Sequence, residues 1–91
     1  MNPNYGMLPE HMREAMQLWL EQGIEPGDFL LAVLCNDLRE AVGRADHINI
    51  HRLPDYVRFL YNEVPGMCYG SPEKVRKWAD HNGLAGRDRA A

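Results

Sequence analysis

The chain has 91 residues, of which 45% are hydrophobic and 25% charged, a composition typical of one small globular domain and outside the range of disordered proteins. Its net charge of −3 argues against a protein that coats nucleic acid, because phosphate binding depends on an excess of Lys and Arg. No apolar stretch approaches the roughly 18 residues of a membrane span, and the first residues lack the pattern of a secretory signal, so we expect a cytoplasmic protein with reduced cysteines and no membrane partner.

The first predicted helix begins near Pro9, whose fixed φ suits a first helical position, and ends at Gly23, whose freedom to adopt positive φ suits a helix C-terminus. Apolar residues recur along it at helical spacing and define its inner face: Leu8, Met12, Ala15, Met16, Trp19 and Leu20. The short connector after Gly23 requires an abrupt turn, so we expect the next helix to pack against the first.

The second predicted helix runs from Pro26 to Gly43 and is the expected centre of the fold. Its apolar residues cover a wide sector: Leu30, Leu31, Leu34, Cys35, Leu38, Ala41, Val42 and Ala45. A helix that is apolar over so much of its circumference is expected to be covered on two sides. For residues 45–52 three interpretations stay open: an extension of helix two, a turn of their own, or an early start of helix three.

The third predicted helix has the clearest periodicity in the chain. Pro54 marks its first turn, and the residue before Pro65 is pushed out of the α region, which ends it. Its apolar stripe follows the spacing i, i+3, i+4, i+7, i+8 and i+11: Leu53, Tyr56, Val57, Leu60, Tyr61 and Val64. Phe59 lies about 100° outside this stripe, so it is either covered by another element or exposed.

A short last helix is predicted from Ser71, which can cap it, through Pro72 to a stop at Gly83, and residues 85–91 are expected to form a mobile tail. The sequence therefore predicts an all-α fold: a small compact bundle of three longer helices and one short C-terminal helix. We expect a single helical domain over residues 1–84, and no segment has the pattern of a strand.

The chain offers little chemistry for catalysis or metal binding. Ser71 is explained as a helix cap, and Cys35 lies in an apolar run that would raise the pKa of its thiol. His47 and His51 have the i, i+4 spacing of metal ligands, but further ligands would have to converge from unrelated elements. We therefore predict no enzyme, no metal and no cofactor, and keep a metal-stabilised helical domain as a third hypothesis.

Protein binding is the function that remains, and aromatic and Arg residues are the usual anchors of binding surfaces. The candidate residues lie on and after helix three and on helix four: Arg58, Phe59, Asn62, Tyr69 and Trp78. A chain this short also needs its aromatics for its own core, so each of them could be buried instead. The alternative function is a small DNA-binding regulator that uses the basic residues of helices three and four: Arg52, Arg58, Lys74, Arg76 and Lys77.

Several stretches give the chain a resemblance to a family of short proteins encoded by tailed bacteriophages and prophages. They are residues 5–9 (YGMLP), 23–27 (GIEPG), 36–38 (NDL), 44–46 (RAD), 59–63 (FLYNE) and 70–73 (GSPE). The resemblance implies a phage gene product in the bacterial cytoplasm and assigns no activity or site residues. Small phage accessory proteins commonly bind other proteins, so we expect a non-enzymatic accessory protein that binds and modulates a host or phage protein, with a homodimer as one form in which it could act.

Overall fold

Helices make up the regular structure of this chain. A computed structural model describes the backbone of residues 2–90 and the side chains of residues 2–86, and within them no strand is present. The α-helices are α1 (Arg13–Gln22), α2 (Asp28–Leu34), α3 (Leu38–Arg44), α4 (Leu53–Glu63), α5 (Pro72–Asp80) and α6 (Gly83–Ala90). Short 3-10 helices cover Tyr5–Met7, Glu10–Met12, Asn49–His51 and Gly66–Cys68. The predicted all-α class is confirmed.

The first predicted helix is present, with a 3-10 turn at Glu10–Met12 leading into α1. It ends as expected at Gly23, which has a φ of 67° and whose N–H donates to the carbonyl of Trp19. Leu8, Trp19 and Leu20, which belong to the predicted inner face, are fully buried.

The prediction of one helix from Pro26 to Gly43 is wrong, because the chain turns between α2 and α3. Asn36 has a φ of 61°, its N–H donates to the carbonyl of Val33, and the N–H of Asp37 donates to the carbonyl of Ala32. These two bonds form a Schellman motif, which closes α2 with Asn in the left-handed position. The Asp37 side chain then accepts from the N–H of Glu40 and starts α3.

The segment after α3 forms a turn of its own, which settles the three interpretations left open. The Asp46 side chain accepts hydrogen bonds from the N–H groups of Ile48 and Asn49, at 2.9 and 2.7 Å, and a 3-10 turn follows at Asn49–His51. An aspartate that binds the backbone two and three residues ahead stops helix α3 from continuing.

Helix α4 is present where it was predicted, but its buried face is rotated from the predicted stripe. Tyr56 and Leu60 are buried as expected, and Phe59, which lay outside the stripe, is fully buried as well. The ring of Tyr5 covers Phe59, with 5.6 Å between the ring centroids. Val57 and Tyr61, predicted to be inside, are exposed. The N-terminal 3-10 helix therefore decides which side of α4 faces the core.

Two tryptophans join α1, α5 and the Gly66–Cys68 turn at the centre of the core. The Nε1–H of Trp19 donates to the carbonyl of Cys68 at 3.2 Å, and the Nε1–H of Trp78 donates to the carbonyl of Trp19 at 2.9 Å. Helix α5 begins as predicted, because the Ser71 hydroxyl accepts from the N–H of Lys74 at 3.2 Å. Each buried indole thus has its donor satisfied, as the interior requires.

The C-terminal residues include a helix that the sequence pattern did not predict. Helix α6 covers them through Ala90, while Ala91 lies outside the described residues. Its start packs on the end of α1, where Gly83, with a φ of 62°, faces the backbone of Gly23. The expected mobility of residues 85–91 stays a prediction. The Cα radius of gyration, 12.3 Å, is that of a compact domain of this length.

Candidate protein-binding surface

Exposed apolar side chains gather where α3 and α4 meet the end of α2. One groove there has an open space of about 350 Å³. Its lining comes from all three helices and the turn between them: Val33, Asn36, Asp37, Leu38, Ala41, Leu53 and Val57. The lining is apolar except for Asn36 and Asp37, so this groove is suited to apolar side chains of a partner.

A second groove, with an open space of about 530 Å³, continues along α4. Val33, Asn36 and Val57 line both grooves, and the second adds Leu60, Tyr61, Tyr69 and Gly70. The N–H of Gly70 donates to the carbonyl of Leu34 at 2.7 Å and fixes the far wall against α2. We call the two grooves together the apolar trough.

The walls of the apolar trough carry large side chains that the fold leaves uncovered. Tyr61 is 80% exposed, Leu38 71% and Val57 64%. Together these three side chains present roughly 400 Å² of mostly apolar surface, within the range of the largest apolar patch on a typical monomer. Patches of this size often have a function, because apolar surface left in water costs free energy that a partner could recover.

Burial affects the ionisation of the tyrosine at the far end of the trough. The pKa of Tyr69 is raised above its ordinary value, first by burial and then by the neighbouring Cys68 and Tyr61. Tyr61 and Tyr69 are therefore close enough to interact, and the raised pKa of Tyr69 keeps its hydroxyl protonated at neutral pH. Their hydroxyls offer the trough polar groups that can donate or accept hydrogen bonds.

Two residues of the predicted binding set are in the core. Phe59 is fully buried against Tyr5, and Trp78 is buried with its indole N–H bound to Trp19. Neither presents its side chain to a partner in this structure, so the interpretation of Phe59 and Trp78 as surface anchors is corrected. The physical reason is that the N-terminal segment and α1 supply the covering elements that the sequence pattern did not locate.

The other three predicted residues lie on or beside the trough. Tyr69 lines it and is half-buried. Arg58 and Asn62 are exposed on α4, each one position after a trough residue, and the Arg58 guanidinium lies 3.4 Å from Asp55. The structure therefore places Tyr69 in the trough and Arg58 and Asn62 on the exposed part of α4 next to it, and their role in binding stays a prediction.

Leu38, Val57 and Tyr61 were missed as surface residues because their spacing assigned them to the core. The sequence does contain a signal that indicates an exposed apolar face on α4. With Phe59 added, the apolar residues of α4 cover more of the helix than one packing face can bury. An excess of this kind indicates two apolar faces, of which only one was assigned.

Nothing in the described residues has the geometry of a reactive thiol. Cys68 is fully buried, and burial raises the pKa of its thiol to about 12. The pKa of Cys35 is also raised, first by burial and then by the charges of Asp37 and Glu25. A thiol with a raised pKa is a poor nucleophile at neutral pH, because the thiolate is the reacting form.

The histidines with metal-ligand spacing lie in the turn before α4. His47 and His51 are exposed, and among the side chains of residues 2–86 no group of three or more His, Cys, Asp or Glu converges to hold a metal ion. His11 instead lies 2.9 Å from Asp46, so these two side chains form an ion pair when His11 is protonated. The geometry gives the hypothesis of a metal-stabilised domain no support.

The basic residues named for DNA binding have different surroundings. Arg52 pairs with Asp55 and also donates to the carbonyl of Met7 at 2.9 Å, while Arg58 pairs with the same carboxylate. One aspartate thus offsets part of the positive charge of both arginines. The remaining basic residues are exposed on α5: Lys74, Arg76 and Lys77.

Comparisons with protein-family models, with curated proteins and with solved structures find no match to this chain. Among the described residues, no helix combines the length and the apolar character needed to cross a membrane.

Proposed function

We propose that this chain is a non-enzymatic accessory protein of a tailed bacteriophage or prophage that binds and modulates a host or phage protein through the apolar trough. The observation that carries the proposal is the exposure of Val57 and Tyr61 on a helix that already buries Tyr56, Phe59 and Leu60 in the core. A helix of ordinary amphipathic character would turn polar residues to the solvent at these positions.

The shape of the trough favours a helix as its occupant. The trough runs along α4, with α2 and α3 lining its first part and α2 with Tyr69 and Gly70 its second, so a partner helix can place apolar residues at i, i+4 and i+8 along it. Covering about 400 Å² yields roughly 10 kcal/mol before the cost of association, which is itself about 4–15 kcal/mol. The complex is therefore reversible, as expected of a modulator.

Two further observations support the proposal. The buried or raised-pKa thiols and the use of Ser71 as a helix cap leave the described residues without an activated nucleophile, which favours binding over catalysis. The phage setting and the bacterial cytoplasm as location rest on the sequence stretches that resemble phage proteins.

The test removes apolar surface without touching the core. A double variant, Val57→Ser with Tyr61→Ser, should keep the helical circular dichroism spectrum, because both side chains are exposed. When immobilised, it should retain the proteins captured by the wild type from bacterial lysate at least about tenfold less efficiently.

The matched control replaces two exposed apolar residues that do not line the trough, Ile24→Ser with Met67→Ser. This control should capture the same proteins as the wild type. Equal capture by the Val57/Tyr61 variant and the wild type would overturn the proposal.

A further inference from the structure

We infer that the apolar trough also accepts a second copy of this chain, so that the protein forms a reversible symmetric dimer through α4. This inference rests on the proposed function, because it names an occupant for the same surface. The ridge of α4 formed by Leu53, Val57 and Tyr61 has the i, i+4, i+8 spacing that a helix needs to enter such a groove. The chain thus carries both the groove and a ridge that fits it.

The ridge is complementary to itself. When two α4 helices meet antiparallel about a two-fold axis between residues 57 and 61, Val57 of one copy faces Tyr61 of the other, and the same contact occurs twice. A small side chain then lies against a large one at both contacts. Interlocking of i±4 ridges is the commonest way in which two helices pack.

Charge favours this face over the outer side of α1 for pairing with a copy. A symmetric contact brings each residue near its own counterpart, so an unpaired charge at its centre would repel itself. Asp37 is the one charged residue lining the trough, and Arg58 beside the ridge is already paired with Asp55. By contrast, the outer side of α1 carries Glu14 and Glu21, both exposed.

The area is sufficient for a weak dimer. Each copy contributes the roughly 400 Å² of exposed apolar walls plus the half-buried residues of the trough, so the two together bury on the order of 1,000 Å². Specific interfaces begin at about this size. The dimer should therefore form at micromolar rather than nanomolar concentration, and a partner helix can displace the second copy.

The first experiment measures mass by sedimentation equilibrium from about 1 µM to about 1 mM, the range expected for an interface at the lower size limit. The wild type should move from 10.5 kDa towards twice that mass. The variant Val57→Ser with Tyr61→Ser should remain monomeric, and the control Ile24→Ser with Met67→Ser should dimerise like the wild type. A wild type that stays monomeric, or a Val57/Tyr61 variant that still dimerises, overturns the inference.

A charge exchange tests which residues face each other. Val57→Lys and Tyr61→Glu should each be monomeric, because each places a charge against an apolar side chain. An equimolar mixture should recover at least about tenfold stronger association than either alone, since the introduced charges then attract across the axis. Absence of recovery in the mixture, with a wild type that dimerises, overturns the proposed pairing.

The two proposals fail in different ways. If the wild type is monomeric while the Val57/Tyr61 variant loses the captured proteins, the dimer is wrong and the proposed function stands. If dimerisation is lost in that variant while capture is unchanged, the proposed function is wrong and the dimer stands.

Discussion

At the scale of single residues, a buried polar chain links the turn after α3 to the core. Asn49 is 2% exposed, and its Oδ1 accepts from the hydroxyl of Tyr56 at 2.7 Å. Its Nδ2 group donates to Asp46 at 3.3 Å, and Asp46 in turn meets His11. Burial raises the pKa of Tyr56 well above its ordinary value, so the hydroxyl remains a donor throughout the physiological range. These hydrogen bonds thus hold the turn after α3 in place, a segment that has few apolar residues.

We predict that Tyr56→Phe lowers the free energy of unfolding by about 1–2 kcal/mol, because it removes a hydrogen bond and leaves the buried Asn49 oxygen without this donor. The measurement is urea denaturation followed by circular dichroism. Tyr61→Phe is the control: Tyr61 is exposed, and its change should stay within about 0.5 kcal/mol. Equal losses in the two variants would show that the Tyr56 hydroxyl contributes nothing specific.

Asp46 should make stability depend on pH at the acid end. The hydrogen bond from the backbone of Asn49, followed by that from His11, lowers the pKa of this carboxyl. A group with a lowered pKa in the folded state stabilises above its ordinary pKa, about 4, and loses that contribution as the pH falls. Asp46→Asn keeps the oxygen that caps the turn but removes the charge.

The melting temperature of the wild type should therefore fall more steeply than that of Asp46→Asn as the pH goes from about 5 to about 3. The difference between the two curves should shrink as the pH falls below the ordinary pKa of an aspartate, because Asp46 then becomes protonated in a growing fraction of the molecules. Thermal melts at constant ionic strength measure this difference. Parallel curves for the two proteins would exclude Asp46 as the source.

At the scale of helices, local signals located most of the ends. Gly23 and Ser71 act where they were predicted to act, because a left-handed C-terminus and a side-chain cap depend only on neighbouring residues. The break between α2 and α3 was missed, although Asn is a common residue at a left-handed helix end and Asp is a common helix cap, as Asn36 and Asp37 are here. These two residues lie inside a continuous apolar periodicity, which predicts one unbroken helix and hides the local turn chemistry.

The contact between α1 and α6 depends on two glycines, which leads to a further prediction. A Cβ atom added to Gly83 would lie 2.6 Å from the backbone N of Gly23, and the positive φ of Gly83 adds strain. Gly83→Ala should therefore lower the free energy of unfolding by about 2 kcal/mol or more.

The matched control for that contact is Gly43→Ala. Gly43 lies within α3, where nothing is closer than 4 Å to an added Cβ. Alanine there should leave stability unchanged or raise it by about 0.5–1 kcal/mol, because it favours the helix. Chemical denaturation compares the two variants. A Gly83→Ala protein as stable as Gly43→Ala would show that α6 does not pack closely on α1 in solution.

At the scale of the whole molecule, the sequence predicted which residues are apolar better than it predicted what covers them. The all-α class follows from periodicity alone. The candidate surface does not, because the side of α4 that is buried depends on Tyr5, which lies more than fifty positions away in the sequence. Periodicity contains no information about such distant partners, so the burial of Phe59 stays open at the level of the sequence and Val57 is wrongly assigned to the core.

The two cysteines allow the integrity of the whole fold to be measured. Cys68 is fully buried, and its carbonyl accepts from Trp19, so a reagent can reach its thiol only when the core opens. Cys35 is half-buried and can react in the folded protein, slowed by the raised pKa of its thiol. In the folded state at pH about 8, we expect Cys35 to be alkylated at least about a thousandfold faster than Cys68, since a domain of this size opens rarely.

Single-cysteine variants, Cys35→Ala and Cys68→Ala, assign the two alkylation rates by mass spectrometry. In concentrated urea the two rates should become equal. Rapid labelling of Cys68 without denaturant would mean that the contacts of Trp19 and Trp78 do not close the core.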